Sequence, residues 1–168
     1  MSEPVITYRR AGDRPERDYV TGRWTRRIRR ASTALMIVGV VVGLGALPLL
    51  GEEVPIHFGF DGVADGWGAR WELVGVLALW AVIQVGIDLL SRRPRIMNFP
   101  TVLTSRNVQR AYREGERMLV IVGAASSLCF AGGVAMTLGA PGLPLMIGGL
   151  VLMFAGLIVG VVRLGNVS

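Results

Sequence analysis

The sequence is poor in the side chains that most enzymes and metal sites need. Its 168 residues include one cysteine, one histidine and no lysine. A single cysteine excludes an internal disulfide and any metal site built from several thiolates. The small nucleophiles Ser126, Ser127 and Cys129 lie inside an apolar stretch, far in sequence from His57, so the pattern does not favour nucleophilic catalysis. We therefore predict a protein that is not an enzyme, with no catalytic residue and no cofactor.

Charge is also scarce, because four stretches of about 20 residues are almost free of it. That length of helix crosses the hydrocarbon core of a bilayer and satisfies its own backbone polar groups. Only Asp88 interrupts these stretches. The pattern predicts an all-α membrane protein, a bundle of four transmembrane helices in residues 32–168, which follows a basic and largely disordered tail, residues 1–31. The predicted helices are residues 32–50, 73–90, 118–139 and 143–162.

The distribution of arginine predicts the orientation in the membrane. Of the 18 basic residues, all arginine, nine lie in the tail, seven in residues 91–117 and one, Arg163, follows the last helix. The outer loop, residues 51–72, holds only Arg70 together with five acidic residues. Because basic loops stay in the cytoplasm, we expect both termini and residues 91–117 to be cytoplasmic and residues 51–72 to lie outside.

Two groups of arginines flank the predicted membrane helices. The first is interleaved with Trp24 and Ile28 directly before the first helix. The second recurs along one face of an amphipathic helix, which we expect to begin at the N-cap Thr104, to lie at the interface and to continue into the third membrane helix. Both groups suit anionic lipid head groups, where each arginine can contribute about 1 kcal/mol. The predicted lipid-facing residues are Arg26, Arg27, Arg29, Arg30, Arg106, Arg110, Arg113 and Arg117.

Other partners for these arginines are also conceivable from the pattern alone. An acidic cytoplasmic protein is the alternative to lipid. The sequence has no recognisable nucleic-acid-binding fold, so we expect no binding to nucleic acid.

Two intramembrane polar residues lie within the second predicted helix. Gln84 and Asp88 are four residues apart and therefore on one face, and an acid within the membrane is a functional candidate. A proton or ion relay is the functional interpretation. The structural one is an ion pair between Asp88 and Arg92 or Arg93 at the interface, since long side chains can reach it there.

Glycines recur at a spacing of four in two of the predicted helices. The pairs are Gly39 with Gly43 and Gly156 with Gly160. Such pairs favour close contact between membrane helices, because a residue without a side chain lets two backbones approach.

The outer loop is the most distinctive segment of the chain. Asp61-Gly62 and Asp65-Gly66 are turn signals, and they predict a compact, turned loop rather than a helix. Imidazole and carboxylate groups can hold a divalent ion, so one interpretation is a ligand or metal site. The other is a structural loop in which the aspartates cap turns, the histidine is hydrogen-bonded and the arginine pairs with a carboxylate. The candidate site residues are His57, Asp61, Asp65, Trp67 and Arg70.

The same loop resembles the signature of a known family. The segment Pro55-Ile56-His57-Phe58, followed by Asp61-Gly62, Asp65-Gly66-Trp67-Gly68 and Arg70, is similar to the pattern P-I-H-(W/F)…G-x-x-D-x-W-(G/S)-(K/R). That pattern belongs to the domain of unknown function found in SdpI-like bacterial membrane proteins. Asn98-Phe99-Pro100 and the arginine helix after it also resemble the family, so the resemblance covers roughly residues 35–139. It implies a protein of the bacterial inner membrane with a role in immunity or signal transduction.

These patterns together predict an integral membrane protein that senses or binds something through its outer loop. Its expected partners are the lipid bilayer with its anionic head groups, and a protein in the membrane or an extracytoplasmic peptide. Two other functions stay open at this point: a structural or accessory subunit of a larger membrane complex, and a small transporter that uses Gln84 and Asp88.

Overall fold

Four long helices follow the four apolar stretches of the sequence. The structure is a computed structural model that describes residues 4–167. Each of the four helices is long and apolar enough to cross a membrane. The predicted four-helix membrane fold is confirmed, and the chain is a multi-pass membrane protein. The helices are α1 (Arg23–Ala46), α2 (Glu72–Ser91), α3 (Val108–Thr137) and α4 (Leu143–Gly165).

Two of the helices begin earlier than the apolar stretches indicate. The first helix, α1, begins at Arg23 rather than at residue 32, because arginine is a good helix former even outside the membrane. The amphipathic helix is the first part of α3, which runs without a break from Val108. The predicted N-cap Thr104 is wrong. The cap is Asn107, whose side-chain oxygen instead accepts a hydrogen bond from the backbone N–H of Thr104 at 2.8 Å.

The third helix lies at the centre of the bundle and packs against the other three. Trp80 of α2 is fully buried, and its ring stacks on Phe130 of α3 with centroids 5.9 Å apart. Two apolar cores result, one between α1, α2 and α3 and one where the tail meets α3 and α4. The first contains Met36, Leu47, Leu73, Leu77, Trp80 and Val134, and the second Leu103, Val108, Ala111, Tyr112, Leu164 and Val167.

Both predicted glycine pairs lie at close helix contacts within the chain. Gly39 and Gly43 bring α1 against α2, where an added Cβ at Gly43 would lie 2.8 Å from Leu77 Cδ1. Gly156 and Gly160 bring α4 against α3 in the same way. The predicted role of the two pairs in helix packing is therefore confirmed.

Two small antiparallel sheets complete the fold, β1 with β4 and β2 with β3. The β2–β3 hairpin lies between α1 and α2, and we call its end of the bundle the hairpin end. The opposite end, where the tail meets residues 92–107, is the arginine end. The strands are β1 (Thr7–Tyr8), β2 (Glu53–Phe58), β3 (Ala64–Ala69) and β4 (Leu103–Thr104).

From residue 4 onward, the tail contacts distant parts of the chain where the sequence predicts a largely disordered segment. Thr7 and Tyr8 pair with Thr104 and Leu103 in the small sheet. Arg14 donates hydrogen bonds of 2.9 and 2.7 Å to the carbonyl oxygens of Arg95 and Met97. The tail has few large apolar residues, and it becomes ordered here because partners far along the chain satisfy its polar groups.

Candidate functional site

The turn of the β2–β3 hairpin is shaped by Gly59, Asp61 and Gly62. The N–H of Gly59 donates to the carbonyl of Val63 at 2.8 Å, which closes the turn. Asp61 Oδ1 accepts a hydrogen bond from the backbone of Val63 at 3.0 Å, and Gly62 has a φ of +81°, a left-handed conformation that favours glycine. The carboxylate of Asp61 is thus occupied in building the turn.

His57 and Asp65 meet across the hairpin. The Nδ1 atom of His57 lies 2.5 Å from Oδ1 of Asp65, and their side chains are 75% and 53% exposed. A contact this exposed contributes at most about 1 kcal/mol to stability. Because Asp65 occupies Nδ1, it fixes the imidazole ring and leaves the other ring nitrogen, Nε2, for a further partner.

The remaining candidates of the loop do not join this pair. The side chain of Trp67 is largely exposed. Arg70 donates to the carbonyl oxygen of Leu50 at 3.2 Å and lies over the ring of Trp71, so the carboxylate partner expected for it is wrong. Within residues 4–167, no three His, Cys, Asp or Glu side chains lie close enough to share a metal ion. The structure therefore brings two of the five candidates into contact.

A groove of about 290 Å³ lies beneath the hairpin, between β2 and the ends of α2, α3 and α4. The hydroxyl of Thr137 in α3 donates to the carbonyl oxygen of Pro55 at 3.0 Å and ties the hairpin to the bundle. A Cβ added at Gly133 would meet no atom within 4 Å, so the floor of the groove is open at that residue. Its lining is mainly apolar and consists of Ile56, His57, Phe58, Leu73, Val76, Gly133, Thr137 and Met146.

Asp88 lies at the arginine end in an ionic cluster that is partly buried. Its two oxygens contact Arg92 Nη2 at 2.9 Å and Arg29 Nε at 3.1 Å. Arg29 Nη2 in turn donates to Glu116 Oε1 at 2.7 Å. The ion pair predicted between Asp88 and Arg92 is present, and two arginines balance two carboxylates in the cluster.

The prediction that Arg29 faces lipid is therefore wrong. Arg29 is only 8% exposed, because α1 turns it inward towards two acids on α2 and α3. The pattern of α1 alone could not reveal those acids. The other seven arginines of the set are exposed. Some of them also have partners within the chain: Arg27 lies 5.1 Å from the ring of Trp24, and Arg117 pairs with Glu114 at 2.6 Å.

Glu116 also holds the tail against the bundle. Its side chain accepts a hydrogen bond of 2.7 Å from Thr21, in addition to the one from Arg29. Burial and the nearby Glu116 carboxylate raise the pKa of Tyr19 well above its ordinary value, so the phenol stays neutral. Three segments of the chain, the tail, α1 and α3, meet at this one carboxylate.

Gln84 belongs to a second polar group, closer to the middle of the membrane. It donates to Ser32 at 3.2 Å and accepts from Ser127 at 2.7 Å, and Ser127 also accepts from the indole N–H of Trp80. The cavity between Gln84 and Asp88 has a volume of about 10 Å³. That is room for about one water molecule. The hydrogen-bonding groups of Gln84 are thus satisfied inside the bundle.

Glu116 is the principal residue that the sequence analysis missed. It lies four residues after Tyr112 and four before Val120, both buried on the inner face of α3. A single acid on an otherwise apolar helix face signals a buried partner of opposite charge, because an unpaired carboxylate there would be strongly unfavourable. This pattern does not show which basic residue is the partner.

The comparison with known families matches part of the chain. Residues 34–82 match the model of a family described as a domain of unknown function, DUF1648. The matched segment contains the second half of α1, the whole β2–β3 hairpin and the first half of α2. No curated protein and no solved structure matches the chain. The matched segment includes the distinctive loop and covers less than half of the sequence.

Proposed function

We propose that this membrane protein is a receptor without enzymatic activity, which binds a cationic amphipathic peptide in the groove beneath the hairpin. The observation that carries the proposal is the preformed apolar groove with the His57–Asp65 pair at its edge. An apolar cleft with a few fixed polar groups is the common form of a ligand site. The imidazole Nε2 would meet a polar group of the peptide, and the groove would take its apolar side chains.

The charge of the hairpin end supports a cationic ligand. Residues 51–72 carry five acidic residues and one arginine, in a protein whose net charge is +6. Opposite charges increase the rate of encounter and favour one class of partner over another. An anionic peptide would be repelled by this end and attracted to the other.

The central helix supports a signalling or protective role for such binding. Thr137, near one end of α3, is bonded to the hairpin, and Glu116, near the other, is bonded to the tail. The two residues are separated by about 30 Å of rigid helix. A ligand that moves the hairpin would therefore also bias the contacts of the tail. This agrees with the immunity or signalling role that the resemblance to SdpI-like proteins implies, with the hairpin outside the cell.

The two other functions considered have less support. Both glycine pairs pack against helices of the same chain, so they do not offer free surfaces for assembly into a larger complex. The cavity at Gln84 and Asp88 has no room for a transported solute larger than water.

Filling the groove tests the proposed function. Gly133→Leu places a side chain in open space at the floor of the groove, and Gly148→Leu does the same on α4 outside it. The probe is a fluorescent helical peptide of leucine and arginine, about 18 residues long. Binding is measured to the protein in nanodiscs of neutral lipid, with empty nanodiscs as background. We expect Gly133→Leu to weaken binding about tenfold, which corresponds to 1.4 kcal/mol, and Gly148→Leu to leave it unchanged.

The charge of the peptide provides the second arm of the test. A peptide of leucine and glutamate with the same length should bind more weakly than the arginine peptide. Equal binding of the arginine peptide to wild type and Gly133→Leu would exclude the groove as its site. Equal binding of both peptides to wild type would exclude recognition by charge.

A further inference from the structure

A second pocket lies at the arginine end, where the tail passes the turn that follows α2. Its volume is about 320 Å³. Arg92, Arg93 and Arg95 line it from the turn, and Glu16 and Arg17 line it from the tail. This size is at the lower end of the range for ligand sites, so the pocket fits a small polar group better than a large molecule.

Pro94 and the hydrogen bonds of Arg95 hold the walls of the pocket in place, without a contribution from the side chain of Arg17 or Arg93. Pro94 begins a short 3₁₀ helix and fixes the turn. Arg95 donates to the carbonyl oxygens of Ala11 at 3.2 Å and Gly12 at 2.5 Å, which binds the turn to the tail. The pocket therefore exists before any ligand enters it.

The charges in the pocket leave an excess of positive charge. Arg95 pairs with Glu16 at 2.6 Å, and Arg92 pairs with Asp88 at 2.9 Å. Within residues 4–167, neither Arg17 nor Arg93 has a carboxylate oxygen within 4.0 Å. The carbonyl end of α2 adds about half a negative charge nearby, which the arginines outweigh.

We propose that this pocket binds a phosphate group through Arg17 and Arg93, with Arg92 and Arg95 beside them. Arg17 donates one hydrogen bond of 3.4 Å to the hydroxyl of Thr21, and its other guanidinium N–H groups are left for a ligand. The planar guanidinium group forms paired hydrogen bonds with phosphate oxygens, so two arginines that line one pocket, without a carboxylate partner among residues 4–167, favour phosphate. The pocket lies directly beyond the last turn of α2, which is long and apolar enough to span a membrane, so we expect it at the level of the lipid head groups. The phosphate can belong to an anionic phospholipid or to a soluble phosphate compound, and both share this chemistry.

The test removes two charges in the pocket and compares them with two charges elsewhere. The variant is Arg17→Gln/Arg93→Gln. Its matched control is Arg9→Gln/Arg10→Gln, which removes the same charge from two exposed arginines that neither line the pocket nor belong to the predicted lipid-facing set. All four side chains are exposed, so both variants should fold. The melting temperature of each variant without ligand is its own reference.

Two arms distinguish the sources of the phosphate. In the first, native mass spectrometry counts phosphatidylglycerol molecules that stay bound to the detergent-purified full chain. In the second, inorganic pyrophosphate is titrated against the protein in nanodiscs of neutral lipid, and the shift in melting temperature gives its affinity.

We expect the pocket variant to lose affinity for phosphatidylglycerol or pyrophosphate about tenfold in at least one arm, while the control stays within about twofold of wild type. A loss confined to the first arm assigns the pocket to lipid, and a loss confined to the second assigns it to a soluble phosphate. Absence of binding by wild type in both arms, or equal losses in the two variants, would overturn the proposal.

Discussion

Arg29 and Arg30 are neighbours in the chain, and the bundle gives them opposite surroundings. Arg29 is 8% exposed and contacts two carboxylates, whereas Arg30 is exposed at the surface. The charge pattern of the sequence places both in one basic cluster. Successive residues of a helix point about 100° apart, so the position of the neighbouring helices decides which of the two arginines faces the interior.

Replacement of Arg29 tests how much the ionic cluster contributes to stability. In Arg29→Ala, Glu116 keeps only Thr21 as its partner within the cluster and stays buried. Removing one partner of a buried ion pair typically lowers the free energy of unfolding by about 3–5 kcal/mol. Arg30→Ala should change it by less than about 0.5 kcal/mol. Denaturant unfolding in detergent micelles measures both values.

A double variant checks that the loss comes from the charge left behind. Arg29→Ala/Glu116→Ala removes both charges of the pair, so it should be more stable than the sum of the two single losses predicts. Strictly additive losses would mean that the two residues do not interact in the folded protein.

Helix α3 presents two adjacent glycines with opposite steric demands. An added Cβ at Gly132 would lie 2.6 Å from the backbone nitrogen of Met146 and 2.7 Å from the carbonyl oxygen of Gly142. At Gly133 it would meet nothing within 4 Å. Gly132 thus lets the start of α4 touch α3, while Gly133 opens the floor of the groove.

Alanine substitutions should separate these two roles. Gly132→Ala pushes against backbone that cannot move aside, so we expect a loss of about 1–3 kcal/mol. Gly133→Ala should be neutral or stabilise the protein, since alanine is the better helix former by about 1 kcal/mol. Thermal melting of the two variants in the same detergent provides the comparison. Equal melting temperatures would contradict the close contact between α3 and α4.

The helices were predictable from the sequence to a greater extent than the strands or the site. In lipid, a long apolar run such as the one within α4 must form a helix to satisfy its backbone hydrogen-bonding groups. Strands β2 and β3 were not predicted, because Asp61-Gly62 and Asp65-Gly66 signal turns without saying that the segments beside them pair. The His57–Asp65 contact depends on that pairing, and the groove also needs Gly133 and Thr137 from a distant helix.

At the scale of the whole molecule, the two ends of the bundle differ in charge. The hairpin end carries five acidic residues and one arginine, and the remaining 17 arginines lie in the tail, in residues 92–117 or at the end of α4. This asymmetry is the basis for expecting the arginine end in the cytoplasm. The proposed peptide and phosphate sites would then face different compartments.

Labelling of single cysteines tests this orientation. Val63→Cys lies in the hairpin turn and Ser105→Cys in the segment before α3, and both are made in a Cys129→Ser background. We expect a membrane-impermeant maleimide to modify Val63→Cys in intact cells and Ser105→Cys only after lysis. The opposite pattern would place the hairpin in the cytoplasm and would exclude an extracellular peptide as its ligand.

The partners of Glu116 have a consequence for the order in which the chain enters the bilayer during synthesis. Arg29 and Asp88 belong to the first two helices and pair with each other, so they are neutralised before α3 is made. Glu116 is translated later and finds Arg29 and Thr21 already in place. We expect the first helix pair to be retained in the membrane by itself, which protease protection of a released fragment, residues 1–97, in membrane vesicles would measure. The contact that fastens the tail to the bundle would then be among the last to form.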